Sequence, residues 1–402
     1  MKVTDYVEIE GRSKGYWFLL FVLGGLISAG LGASYYMEHN GHWVTGMSNQ
    51  VVWGIPHVFA VFLIVSASGT LNIASIASVF GKEVYKPLSR LSGILSIALL
   101  VGGLSVLVLD LGRPDRLIVA MTTYNFKSIF AWNIFLYVGF IVIVAIYLWM
   151  MMENRMNRYS RPIGILAFIW RLLLTTGTGS IFGFLVARQA FDAAIMGPLF
   201  VVMSFSYGLA FFILVLMWVY HASGWTLGDA ILIRLKGLLG VFVAATLYFT
   251  LVYHLTNLYA TEHHGVESFI LAGGNIYTYV FWFGMITLGA VVPLLIFYMP
   301  VTSRSKFWIA IGSGLVMLGG FAQIFVIIIG GQAYPLVVFP GKEVQSGFFD
   351  GMVGSYAPSY PELILGVAGV AIGLFLITVA LKIFRFLPAS LADEAVFTEI
   401  QK

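Results

Sequence analysis

The sequence predicts an all-α, polytopic membrane protein of about ten transmembrane helices, and three observations predict it. Of its 402 residues, 60% are hydrophobic and only 10% are charged, whereas soluble domains run nearer half apolar and about a quarter charged. Apolar runs recur from end to end, each near the roughly 20 residues that cross a bilayer core. Lys and Arg gather in alternate connections between those runs. A soluble fold is excluded, and one continuous membrane domain over residues 1–402 is expected.

The first run, 16–37, follows Arg12 and Lys14 and has small residues at Ala29 and Ala33, which suit a secretion signal. Its apolar length exceeds the about 7–15 residues of such a peptide, so it is read as a span. Runs at 51–80, 88–109, 128–152 and 163–186 form a first four-helix unit over 51–189. Those at 194–220, 235–257, 276–299 and 307–329 form a second over 194–335. An outer loop at 336–361, a tenth span at 362–384 and a tail at 385–402 complete the chain, leaving spans one and ten as peripheral helices.

The division into two units rests on a repeat. Spans two and six both open on Gly/Pro, at Gly54 and Pro56 and at Gly197-Pro198. Both carry a small polar patch, Ser66-Ala67-Ser68-Gly69 and Ser204-Phe205-Ser206-Tyr207-Gly208. Glycines elsewhere in the apolar runs, at 24, 25, 102, 103, 312, 319 and 320, are expected at close helix contacts.

Arg12/Lys14, Lys82/Lys86, Arg155/Arg158/Arg161, Arg234/Lys236, Arg304/Lys306 and Lys382/Arg385 all fall on one side. By the positive-inside rule that side is cytoplasmic, which predicts a multi-pass protein of the cytoplasmic membrane with both termini inside. The outer connection between spans three and four disobeys, with Arg113, Arg116 and Lys127, so those charges are wanted there. A net charge of +4 in scattered clusters gives no support to nucleic-acid binding; the partner surface is the lipid bilayer. The chain has no cysteine, so it holds no disulfide, thiolate zinc site or cysteine-ligated iron–sulfur cluster.

The polar groups inside spans need reasons. Arg171 lies roughly 12 Å from the cytoplasmic end at about 1.5 Å per residue, and burying it in lipid costs on the order of 2.5 kcal/mol or more. Thr175, Thr176, Thr178 and Ser180 follow on the same helix, so the group reads either as a proton path or as a partner for a carbonyl or carboxylate elsewhere. His57, about two turns into span two from the outer face and just after Pro56, and His254, near the outer end of span seven, are proton-exchanging candidates. Span three ends in Leu109-Asp110-Leu111-Gly112-Arg113-Pro114-Asp115-Arg116, a helix-breaking turn of alternating charge. With Tyr124 and Asn125 it reads either as an ion-paired structural turn or as the wall of a polar pocket beside His57. Span nine closes on Gly330-Gly331-Gln332-Ala333-Tyr334-Pro335, leading into an aromatic outer segment with Phe348, Phe349, Tyr356 and Tyr360 that suits docking.

These motifs resemble the NrfD/PsrC family of quinone-interacting membrane subunits. The likeness is carried by the Leu109–Arg116 turn, by Asn125-Phe126-Lys127-Ser128 and by Gly197-Pro198. The span-nine motif, Phe348-Phe349-Asp350-Gly351 and the segment from Tyr356 to Glu362 are similar to its ten-helix branch, typified by the DsrP subunits of sulfite-reductase-associated complexes. The resemblance implies a subunit without haem or iron–sulfur cluster of its own, acting as a quinone oxidoreductase only inside a multisubunit complex, in dissimilatory sulfur metabolism. Its substrate would be menaquinone or another quinone, bound near the outer face. Its partners would be a periplasmic ferredoxin-like iron–sulfur subunit (DsrO-like) together with cytochrome c and cytochrome b/iron–sulfur subunits. His57 matches the family's early histidine, and Asp110 and Arg113 match its signature turn; Tyr124 and His254 complete the expected quinone-binding set. Arg171, Thr175 and Thr178 are the expected proton path. Gln323 stands near where many relatives carry an arginine in span nine. Two other classes fit the residues alone: a secondary transporter, and a b-type cytochrome with His57 and His254 as axial ligands.

Overall fold

A chain in hydrocarbon must satisfy every backbone N–H and C=O within itself, so long apolar runs fold as helices. The computed structural model describes residues 5–336 and 352–393, and these hold ten helices long and apolar enough to span a membrane. They are α1 (Lys14–Asn40), α2 (Ile55–Ser78), α3 (Glu83–Leu109), α4 (Ile129–Met152) and α5 (Asn157–Gly183). Then come α6 (Met196–Ala222), α7 (Asp229–Tyr259), α8 (Ile276–Tyr298), α9 (Lys306–Ala333) and α10 (Tyr360–Ile383). The expected all-α, ten-span fold is therefore found. Most of the outer segment, including Phe348 and Phe349, and the end of the tail lie outside the described residues.

Local chemistry starts the helices. The Ser13 hydroxyl accepts the Tyr16 N–H at 3.1 Å and caps α1. Pro56 and Pro361 sit in the first turns of α2 and α10, where a missing N–H costs nothing. Inside α8 the stretch Val280–Val291, and inside α9 the stretch Val326–Gly330, wind as wide π-helix, a geometry that recurs at functional sites.

Helices α2 to α5 close on one another, α2 against α3, α3 against α4, α4 against α5 and α5 back against α2. Helices α6 to α9 do the same. The two groups meet mainly along α2 and α6, the most enclosed helices, and α5 adds to that seam. The repeated patches are the crossing point: a β-carbon on Gly69 would run into the Ser204 carbonyl, and one on Gly208 into the Gly69–Thr70 backbone. Small residues there let two backbones touch. Helix α10 lies against α3 and α2, and α1 packs on α10 as the least enclosed span. Gly24 and Gly25 accordingly face open space, unlike Gly102, Gly103, Gly312, Gly319 and Gly320, which are all in close contact.

Strand β1 (Tyr6–Val7) pairs antiparallel with β2 (Leu387–Pro388), joining the segment before α1 to the one after α10 at one end of the bundle. The opposite, distal end gathers the start of α2, the ends of α3, α7 and α9, and the start of α10.

Candidate functional site

His57 occupies the first turn of α2 and Asp110 caps the end of α3, and adjacent antiparallel helices bring them together. The His57 Nδ1 lies 3.0 Å from Asp110 Oδ2, with side-chain exposures of 23% and 1%. The two atoms are at ion-pair distance but out of line for a hydrogen bond, and both carboxylate oxygens and Nδ1 lack a hydrogen-bond partner among the described residues. Buried polar atoms are nearly always paired, so this carboxylate beside a part-exposed imidazole offers open acceptors to a ligand or to water.

The wall behind His57 is aromatic. Trp53 lies flat to the His57 ring at 6.2 Å between centroids and flat to Phe191 at 6.2 Å, with Phe182 and Phe130 edge-on. Phe130 is exposed near the start of α4 and packs on Trp53, so apolar side chains continue from the protein surface to His57. Gln332 fixes this wall: its Oε1 accepts the N–H groups of Val52 and Trp53, both at 3.0 Å, and its Nε2 donates to the Trp53 carbonyl at 3.0 Å. Arg188 ties the two helix groups together, donating to the carbonyls of Gln332 at 3.0 Å and Gln50 at 2.7 Å.

A second brace comes from α10. Glu362, fully buried, accepts the Gly46 N–H at 2.7 Å, the Ser359 N–H at 2.8 Å and the Tyr356 hydroxyl at 2.8 Å. The Tyr356 hydroxyl in turn accepts the Ile55 N–H at 2.6 Å. Gly54 has no room for a side chain because the Glu362 carboxylate and the Tyr356 hydroxyl fill that space. Burial pushes the Tyr356 hydroxyl well above its ordinary pKa, and the carboxylates of Glu362 and Asp110 add to the rise, so it stays a donor.

Arg113 and Tyr124 stand elsewhere. Arg113 makes a two-pronged bond to Asp115 at 3.0 and 2.9 Å, and both side chains are exposed. Tyr124 sits half in solvent against Phe126. The signature turn thus turns Asp110 inward to His57 while its arginine closes an ion pair at the surface.

His254 belongs to the second helix group. Its Nδ1 lies 2.7 Å from the buried Glu267 Oε2, and Asn257 donates to Glu267 Oε1 at 2.8 Å. The pair borders a cavity of about 480 Å³, part of it open to the outside, lined among others by Tyr253, Thr250, Phe281, Met285 and Gln323. A neighbouring cavity of about 320 Å³ shares Thr250, Met285 and Gln323 and continues past Tyr207 and Thr246. Gln323 bridges them, accepting the Tyr207 hydroxyl and donating to Thr250 at 3.1 Å. His254, beside these cavities, already has its carboxylate partner in line. The unmet hydrogen-bonding demand is at His57 and Asp110, and demand is the better guide to a polar ligand than room.

Among the described residues Arg171 has no carboxylate partner: it is buried, reaches the Ser68 carbonyl at 3.4 Å and lies 5.0 Å from the ring centroids of Phe168 and Phe205. Thr175 bonds Ser68 at 2.6 Å, and Thr178 bonds Tyr137 at 3.0 Å. Of the expected site residues, then, the fold joins His57 to Asp110 and groups Arg171 with Thr175. Trp53, Glu267 and Glu362 enter as contacts that were not expected as site residues, although Glu362, like Gln332, lies within a motif named above.

Ten spanning helices, eight of them in two interlocked groups with α1 and α10 beside them, define a polytopic membrane protein, and its distal end carries the His57–Asp110 pair. The profile of the family described as Polysulphide reductase, NrfD matches residues 43–335, so the chain belongs to that family. Helices α1 and α10 fall outside the matched stretch. The chain is 30% identical to the Hdr-like menaquinol oxidoreductase integral membrane subunit of Archaeoglobus fulgidus, over 98% of this chain and 99% of that one. It is 21% identical to a selenate reductase subunit of Mesobacillus selenatarsenatis, over 90% and 92% of the two chains. It is 23% identical to protein NrfD of Escherichia coli, over 70% of this chain and 96% of that one.

Proposed function

We propose that this chain is the quinone-interacting membrane subunit of a multisubunit redox complex, with the quinone headgroup bound at His57 and Asp110. The observation that carries the reading is the unpartnered Asp110 carboxylate beside a part-exposed imidazole, against the flat face of Trp53. A quinone needs an apolar slot for its ring and tail and titratable groups for its oxygens, because its two-electron chemistry moves two protons. The exposed apolar run through Phe130 suits a tail arriving from lipid. The activity for which the Archaeoglobus relative is named, menaquinol oxidoreductase, supports menaquinone as the substrate here.

Electrons go to or come from a partner, since a chain without cysteine carries no iron–sulfur cluster on thiolates. In this reading the partner is a ferredoxin-like iron–sulfur protein (DsrO-like) docked on the periplasmic side, which the distribution of Lys and Arg makes the distal end. Cytochrome subunits of the same complex and a place in sulfur metabolism follow from the likeness to the DsrP-type branch. Arg171, Thr175 and Thr178 are the proposed inner polar string for proton movement.

The test is turnover of the assembled complex with menaquinone analogues. The reading predicts quinone-dependent electron transfer that His57→Ala abolishes while the complex stays assembled. An assembly that neither reduces nor oxidises such analogues, with His57→Ala changing nothing, sinks it.

A further inference from the structure

Conversion between quinol and quinone exchanges two electrons with the iron–sulfur partner and two protons with water. Asp110 is sealed from solvent and His57 is only part-exposed, so a proton-carrying group beside the pair would speed the exchange with the aqueous phase.

His42 stands where such a route begins. It opens the short turn His42–Val44 in the connection between α1 and α2 at the distal end. The turn is fixed, with the Thr45 hydroxyl and N–H donating to the His42 carbonyl at 2.6 and 3.1 Å and the Trp43 indole donating to the Asn40 carbonyl at 2.6 Å. The imidazole edge lies against Gly112, two residues past Asp110: its Cδ2 and Nε2 are 3.6 and 3.7 Å from where a β-carbon would stand. His42 Nε2 is buried and has no hydrogen-bond partner, as are Nδ1 of His57 and both oxygens of Asp110. Only one of the two His42 ring nitrogens is sealed in this way. A buried ring nitrogen left unpaired is rare, and imidazole is the side chain that takes up and gives away a proton near neutral pH.

We propose that His42 is the proton-transfer group linking the His57–Asp110 site to the water beyond the distal end. For each quinol oxidised, two electrons pass to the iron–sulfur partner. The two protons leave one after the other through Asp110 or His57 to Nε2 of His42, and from its other nitrogen to water. Quinone reduction runs the same steps in reverse. The proposal rests on the quinone reading above.

The test uses the assembled complex carrying His42→Ala, with His42→Gln as a second variant that keeps the side-chain bulk. Turnover falls about tenfold or more, in the range that proton-transfer groups contribute. The dissociation constant of a tight-binding quinone analogue stays within about twofold, since His42 carries protons and does not hold the headgroup. Added imidazole restores turnover to His42→Ala and does nothing for His57→Ala. Wild-type turnover in both His42 variants overturns the relay, and so does lost turnover with equally lost analogue binding and no response to imidazole. Unaltered analogue binding in His57→Ala would instead overturn the quinone site itself.

Discussion

The Nδ1 of His57 and Oδ2 of Asp110 stand 3.0 Å apart, one from the first turn of α2 and the other from the end of α3. They are 53 positions apart in sequence by subtraction of their numbers, and one helix hairpin makes them neighbours. The pair holds a carboxylate with no donor of its own, which is why it is the centre of the proposed site.

Asp110→Asn keeps the shape of that centre and removes its charge. Quinone turnover in the assembled complex is expected to fall by about two orders of magnitude, the scale of a lost proton-exchanging group, with the melting temperature little changed. Steady-state rates and a thermal scan of the same preparation check it.

Gln332 should matter through the backbone it holds. Gln332→Ala strands the N–H groups of Val52 and Trp53, which costs about 1–3 kcal/mol for buried donors. The melting temperature drops, and the KM for quinol rises as the Trp53 wall loosens. Unchanged values of both would show that the glutamine is dispensable.

Arg113→Ala is expected to leave the quinol KM within about twofold, because the guanidinium faces solvent and Asp115. The hydrogen bond from Arg113 holds the Asp115 carboxyl below its usual range. A depressed carboxylate contributes above its unfolded pKa and loses that contribution as pH falls through the folded value. The ion pair is therefore constant from about pH 5 to 8 and breaks only in acid. A pH titration of Asp115 by NMR or infrared difference spectroscopy reads it.

In the second helix group, Glu267→Ala leaves His254 and Asn257 buried without their acceptor, a change worth about 3–5 kcal/mol for a broken buried pair. Adding His254→Phe to it should recover part of the loss. A double-mutant cycle on unfolding in detergent measures the coupling, and strict additivity would rule the coupling out.

Arg171→Leu removes a buried charge that has no carboxylate partner, so the melting temperature should hold or rise. If the string through Ser68 and Thr175 moves protons, the pH change per quinone turned over in proteoliposomes falls while turnover persists. Equal coupling in the variant and the parent would remove Arg171 from any proton path.

Composition and run length were enough to set the ten helices, because a backbone in hydrocarbon is either helix or closed barrel and apolar runs of roughly 20 residues fit the helix, not the shorter strand. They also show where chemistry is permitted: His57, Asp110 and Arg171 are legible because polar groups inside lipid are costly and therefore few. Which of them meet is a matter of packing. Arg113 and Asp110 sit three positions apart in one motif, yet the turn sends one to solvent and the other to His57. His254 and His57 share a residue type and an end of the bundle, yet each faces its own carboxylate in a different helix group, hydrogen-bonded for His254 and out of line for His57. Gln332 of α9 and Glu362 of α10 reach the backbone around α2 from distant helices, and His42 lies against Gly112 from the connection after α1; no local period or composition reports that convergence. Helix formation is set by neighbours along the chain, whereas a polar site is set by which helix ends the packing of small residues, such as Gly69 against Gly208, brings to one place.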